Sequence, residues 1–143
     1  MRPKKLSVPK YTTATLRIWG DDLIPEDVSS LLGQPPTKSE SKGDVLIGKV
    51  TGQKRNAKTG GWRLAAPDQL DGNLDAQVVG LFRMLTSDSA IWNELNAKFE
   101  LDIFCGVFMK TGNDGLSLRP ATLELLGMRG IGIEIDIYDH SED

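Results

Sequence analysis

Histidine and cysteine are nearly missing from this chain: its 143 residues contain one of each, His140 and Cys105. A single cysteine excludes an intrachain disulfide framework and any multi-cysteine zinc site. Ser-His and Cys-His mechanisms need an imidazole held rigidly beside the nucleophile, and His140 sits close to the C-terminus in an acidic tail. It is read as inert. Cys105 alternates with Leu101, Ile103 and Val107, so its thiol belongs to the core, where apolar surroundings suppress the thiolate. No catalytic residue, metal site or cofactor is therefore expected. Long apolar runs are lacking too, which argues against a membrane span. The basic N-terminus is followed by no apolar stretch of the secretory kind, and a cytoplasmic location is the default expectation. Positive charge is not in excess either. A net charge of −3 and a pI near 5.2 leave no basic field to recruit nucleic acid or an anionic membrane.

What is present is ordinary globular composition, with 39% hydrophobic and 26% charged residues. The length suits one domain whose core needs no metal or disulfide staple. The expected organisation is a flexible basic tail over 1–11, carrying Arg2, Lys4, Lys5 and Lys10, then a single domain over 12–139. An acidic tail over 140–143 follows.

Along the chain, Ala14, Leu16 and Ile18 alternate with Thr13, Thr15, Arg17 and Trp19, the period of a half-buried strand. Pro25, Glu26 and Asp27 open a helix whose inner residues are Val28, Leu31 and Leu32; Gly33 ends it and Pro35-Pro36 forbids continuation. Residues 34–43 read as a polar loop. Asp44 to Thr51 and Gly61 to Ala66 read as two further strands, joined by a long basic hairpin loop from Gly52 to Gly60. Asn73 caps a helix with the stripe Leu74, Val78, Leu81, Phe82 and Leu85, and a shorter helix carries Ile91, Trp92, Leu95 and Phe99. The strongest strand alternates Leu101, Ile103, Cys105, Val107 and Met109 with Asp102, Phe104, Gly106, Phe108 and Lys110, and breaks at a turn over 111–115. Pro120 starts a last helix, stopped by Gly127. The final strand sets Ile131, Ile133, Ile135 and Ile137 against Gly132, Glu134, Asp136 and Tyr138.

The predicted class is α+β, in the order β-α-β-β-α-α-β-α-β. A ferredoxin-like start is extended by a helix–strand unit. Each strand has one apolar face, so the helices are expected on one side of a mainly antiparallel sheet.

These motifs resemble the small bacterial proteins grouped as domain of unknown function 4279. The resemblance rests on the opening strand Thr13-Ala14-Thr15-Leu16-Arg17-Ile18-Trp19-Gly20 and a Pro-led helix ending Leu31-Leu32-Gly33. It continues through Pro36-Thr37, Lys42-Gly43, a lone Trp62 opening a strand, and the closing Gly132–Tyr138 strand. It covers roughly residues 13–138 by order and spacing, and the stretch from Gly52 to Gly60 matches no clear part of it. The resemblance implies the fold; it carries no activity, cofactor or site residue.

Several chemistries have near misses. Asp21, Asp22, Glu26 and Asp27 form an acidic group, but its spacing fits no calcium loop, and carboxylates are expected where a helix begins. Gly52 to Thr59 has the spacing of a P-loop, with Ala57 in place of the second glycine and Gly60-Gly61-Trp62 where the helix should start. The nucleotide reading is rejected. A loop mouth of Lys54, Arg55, Lys58 and Trp62 remains as a candidate for a protein partner or a phosphate-bearing ligand.

The main candidate is the outer face of the sheet, which alternation assigns to Arg17, Trp19, Phe104, Phe108, Lys110, Glu134, Asp136 and Tyr138. Its four aromatics together match the largest apolar patches of typical monomers, roughly 300–600 Å². Such a surface is expected to be covered by the chain's own loops, by a second copy or by a partner. RNA-binding sheets stack bases on exposed aromatics, but Glu134 and Asp136 on the same face repel phosphates. The expected function is therefore a non-enzymatic protein-binding or interaction module, possible also as a homodimer or, by analogy of fold and size alone, as a toxin-neutralising partner. The alternative is a small-ligand site or carboxylate-dependent enzyme, with a pocket built from Trp62, Arg17, Tyr138 and Asp136.

Overall fold

A computed structural model describes residues 6–67 and 72–140 of the chain. Arg2, Lys4, Lys5, Glu142 and Asp143 of the expected tails lie outside the described residues. Among those described, four helices and seven strands follow one another as β1 (Tyr11–Gly20), α1 (Pro25–Leu32), β2 (Lys38–Glu40), β3 (Val45–Ile47), β4 (Lys54–Asn56), β5 (Gly60–Ala65), α2 (Leu74–Arg83), α3 (Ser89–Lys98), β6 (Glu100–Phe108), α4 (Pro120–Met128) and β7 (Gly132–Tyr138). The protein is α+β. Five strands form the main sheet in the order β2-β5-β1-β6-β7, with β3 and β4 paired separately. Every pairing is antiparallel except β6 with β7. Parallel neighbours require a crossover, and the segment containing α4 provides it.

Local chemistry explains several helix ends. Gly33 stops α1 in the left-handed region at φ 77°, which a residue with a Cβ adopts only with strain. Asn73 and Asp88 cap α2 and α3 by accepting from the Ala76 and Ala90 backbone N–H groups. The inward residues of the central strands, Ala14, Leu16, Ile18, Trp62, Leu64, Ile103 and Cys105, pack with Val28, Val78, Leu81, Trp92 and Leu95 of the helices into one core. Burial also pushes the Cys105 thiol up to about 12, with the nearby Asp102 carboxylate adding to the effect. Thr12 and Gln77 are polar but buried; the Thr12 hydroxyl donates to Gln77 Oε1 at 2.7 Å, and Gln77 Nε2 returns a bond to the Thr12 carbonyl at 2.9 Å. That pair ties β1 to α2.

The structure departs from the sequence-based expectation at several places, the first being Tyr11, which opens β1 and does not close a tail. Residues 34–43 are not all loop, because Lys38–Glu40 adds to the free edge of β5. The strand expected over 44–51 is only Val45–Ile47 and lies outside the main sheet. Its partner is Lys54–Asn56, within the stretch expected to be a loop. Thus four strands, not two, separate α1 from α2. The last helix runs through Gly127 to Met128, and the left-handed glycine is Gly130 at φ 66°. Finally, Ile135 and Ile137 share a face with the core but are 43% and 63% exposed, since the helical layer does not reach the end of β7.

One loop is organised by a single carboxylate. Asp114 accepts from the Ser7 hydroxyl, the Thr111 hydroxyl and the backbone N–H groups of Lys110 and Thr111, at 2.6–3.0 Å. The Thr111 hydroxyl contributes most to holding the Asp114 carboxyl well below the usual carboxylate range. A native pKa depressed in this way adds stability that is complete above the unfolded value, near 4, and is lost as pH falls through the native one. Carboxyl ¹³C titration is expected to show Asp114 titrating well below the ordinary aspartate range. Asp114→Ala is expected to remove the Ser7 side-chain bond at every pH, seen as altered Ser7 and Gly115 amide shifts, while the Gly115 N–H still donates to the Ser7 carbonyl at 2.7 Å. A midpoint in the ordinary aspartate range sinks this account.

Candidate functional site

The side of the sheet away from the helices is built in rows, because residues opposite one another across strands project to the same face. The first row joins Tyr11, Phe108 and Tyr138. Their rings stack, Tyr11 on Phe108 at 4.2 Å between centroids and Phe108 on Tyr138 at 4.6 Å. The next row is Thr13, Gly106 and Asp136, where the Gly106 N–H donates to the Thr13 hydroxyl at 3.1 Å. A Cβ on Gly106 would stand 2.7 Å from that same oxygen, so glycine keeps the row flat. Thr15, Phe104 and Glu134 form the third row.

The fourth row holds the charges. Lys38, Arg63, Arg17, Asp102 and Gly132 lie opposite one another across all five strands. Arg17 and Arg63 are like charges directly opposed, an arrangement that costs stability unless each is compensated. Each is. Arg17 makes a two-pronged pair with Asp102 at 2.8 and 2.6 Å, and Arg63 makes another with Glu40 at 2.9 and 2.6 Å. These bonds raise both arginine pKa values, with burial opposing; Glu134 adds to the effect at Arg17. Above the guanidinium of Arg17 lie the Phe104 ring, 4.4 Å from it, and the Trp19 ring, 5.5 Å away. A shallow depression of about 430 Å³ opens there, lined by Trp19, Phe104, Glu100, Asp102 and Glu134, with Gly132 leaving room beside them. At the other end of the face, the Tyr138 hydroxyl donates to Asp136 at 2.6 Å, which raises the tyrosine pKa.

The structure thus brings Arg17, Trp19, Phe104 and Glu134 together, and separately Phe108, Asp136 and Tyr138. The aromatics cover one another by stacking, so the face is less bare than the sequence implies. Tyr11, Arg63, Glu40 and Asp102 were not among the residues assigned to it. Parity could have found three of them: Tyr11 precedes Thr13 by two, Asp102 precedes Phe104 by two, and Arg63 must oppose its neighbour Trp62. Trp62 itself is a correction. It is 0% exposed on the core side, its indole N–H donating to the Ser29 hydroxyl at 3.0 Å. Lys54 and Arg55 lie on the β3–β4 hairpin, exposed with Lys58, so the four residues make no common mouth. A pocket of Trp62, Arg17, Tyr138 and Asp136 is not assembled either, since Trp62 faces the opposite layer. Among the described residues no helix is long and apolar enough to cross a membrane, and no group of three or more His, Cys, Asp or Glu could hold a metal ion.

Fold and face together define a two-layer α+β domain that presents an ordered aromatic–arginine sheet surface. The chain belongs to the family described as domain of unknown function (DUF4279), whose model matches residues 9–140. No curated protein and no solved structure gives a match to it.

Proposed function

We propose that this chain is a non-enzymatic protein-binding module and that the outer sheet face is its contact surface. The observation carrying this reading is the composition and order of the face: Tyr11, Phe108 and Tyr138 stack, Arg17 and Arg63 make two-pronged ion pairs, and Trp19 and Phe104 lie over the Arg17 guanidinium. Trp, Tyr and Arg dominate binding hot spots, and side chains already held in one conformation lose little entropy on association. Asp102 and Glu40 are engaged by arginine, which leaves neither free for proton transfer. A bacterial, cytoplasmic role as a toxin-neutralising partner fits the same reading, and a homodimer is its self-associating form. At the finer level of fold we read β1-α1-β2 with β5 between the two strands as a ferredoxin-like start, which the antiparallel registers of β5 with both support.

The test compares wild type with a Phe104→Ser/Phe108→Ser variant whose folding is checked by thermal melting. The reading expects a partner captured from native lysate, or a dimer on light-scattering chromatography, that the variant loses. Unchanged capture and mass, with a small-molecule screen raising the melting temperature of wild type alone, assigns the depression beside Trp19 to a ligand instead.

A further inference from the structure

Among the described residues, β7 has a hydrogen-bonded neighbour on one side only. The Tyr138 carbonyl accepts from the Met109 N–H at 3.0 Å, so the even-numbered residues of the strand turn their backbone groups toward β6. Ile133, Ile135 and Ile137 turn theirs to the open edge, where among the described residues no strand pairs. Natural edges are blunted by proline, charged side chains, bulges, brevity or a covering loop; here the charges are Glu134 and Asp136, both acidic, which deter a like-charged strand and not a basic one. This one is seven residues long and contains no proline. Its helix-side surface exposes Ile135 and Ile137, and α4, which packs against β7, exposes Leu123 and Met128.

A second copy fits this edge badly. Antiparallel pairing about a two-fold axis continues both faces of the sheet, so outer residues of one copy oppose outer residues of the other. An axis at Ile135 sets Glu134 against Asp136 twice; an axis at Glu134 or Asp136 sets that carboxylate against itself. Every register that overlaps most of the strand opposes like charges. The complementary occupant is a strand with basic residues on one side and apolar ones on the other. We infer that β7 is an acceptor edge for an extended partner segment of alternating basic and apolar residues, which adds as a sixth strand with its cations over Glu134, Asp136 and the Tyr138 ring and its apolar side chains over Ile135 and Ile137. This deepens the protein-binding reading, and rests on it, by naming the chemistry of the partner.

The experiment uses the full chain and a fluorescent peptide of alternating lysine and valine, read by polarisation. Binding is expected to exceed that of a glutamate–valine peptide by about tenfold or more, because two opposed pairs change from attraction to repulsion. Methylating alternate peptide nitrogens is expected to abolish binding, since side-chain attraction survives while strand pairing does not. Glu134→Lys/Asp136→Lys is expected to reverse the peptide preference. Ile135→Pro removes an outward N–H without breaking a bond to β6, and is expected to lose the peptide while keeping its fold. Equal binding of plain and methylated peptides, no binding of the lysine peptide, or a dimer that Ile135→Pro dissolves each overturns the inference. If peptide binding fails while partner capture still depends on Phe104 and Phe108, only the edge inference is lost. If the peptide binds and capture is indifferent to those phenylalanines, the outer-face reading is lost instead.

Discussion

Trp62→Ala is expected to lower the stability of the domain by about 3–5 kcal/mol, the range for removing a large aromatic from a close-packed core. The side chain is wholly buried, opposite Ile18 of β1 and Ser39 of β2, in the layer that Val28 and Leu32 of α1 close. Its removal leaves a void that backbone cannot fill, because Gly60 and Gly61 on its N-terminal side are themselves in tight contact. A Cβ on Gly60 would meet the Gly20 and Leu23 carbonyls at 2.9 and 2.8 Å. The Ser29 hydroxyl also loses its donor. Trp62→Phe separates these effects, keeping most of the volume and costing about 1–2 kcal/mol for the smaller ring and the missing bond. Urea unfolding checks both values. A tryptophan at a binding mouth behaves in the opposite way, losing affinity with little change in unfolding midpoint, and such a result returns Trp62 to the surface.

The misplacement of Trp62 shows what kind of information a sequence carries. Alternation was legible wherever one face is buried over many residues, as in Thr13–Trp19 and Leu101–Met109, because a pleated strand sends successive side chains to opposite faces and a helix does not. Helix ends were legible where a single residue controls them, as Gly33 and Asn73 do. Trp62 stands just after the basic loop that ends at Gly60 and was grouped with its mouth, although parity with Leu64 in the strand from Gly61 places it inward. Lys38–Glu40 has no apolar period at all; it becomes a strand because β5 offers a free edge and Arg63 anchors Glu40, a tertiary cause invisible locally. Ile135 and Ile137 carry the opposite lesson. Their pattern reports which face they occupy, whereas coverage depends on how far the helices extend. The candidate face was therefore legible as a set of side chains. Its internal pairing, Arg17 with Asp102 and Arg63 with Glu40, depended on cross-strand register, and register was not.

That pairing makes a second large effect. Arg17→Ala is expected to cost about 3 kcal/mol, because it strands the Asp102 carboxylate without its counter-ion. Asp102 is 7% exposed, and β6 is held between β1 and β7, so only water entering the shallow depression beside it can replace the lost counter-ion. The loss also strips the cation from Phe104 and Trp19. Replacing both partners, Arg17→Leu with Asp102→Leu, is expected to recover most of that stability, since an apolar pair leaves no charge unpaired. The double-mutant cycle from urea unfolding then isolates the coupling. Arg63→Ala provides the internal comparison. Its partner Glu40 is on the three-residue strand β2, beyond which no strand pairs among the described residues, and can turn outward to be solvated. Its cost is expected to stay near 1 kcal/mol, in the range of exposed pairs. Equal losses for the two arginines show that strand position does not govern the pairs, and the row is then held by something other than the confinement of Asp102.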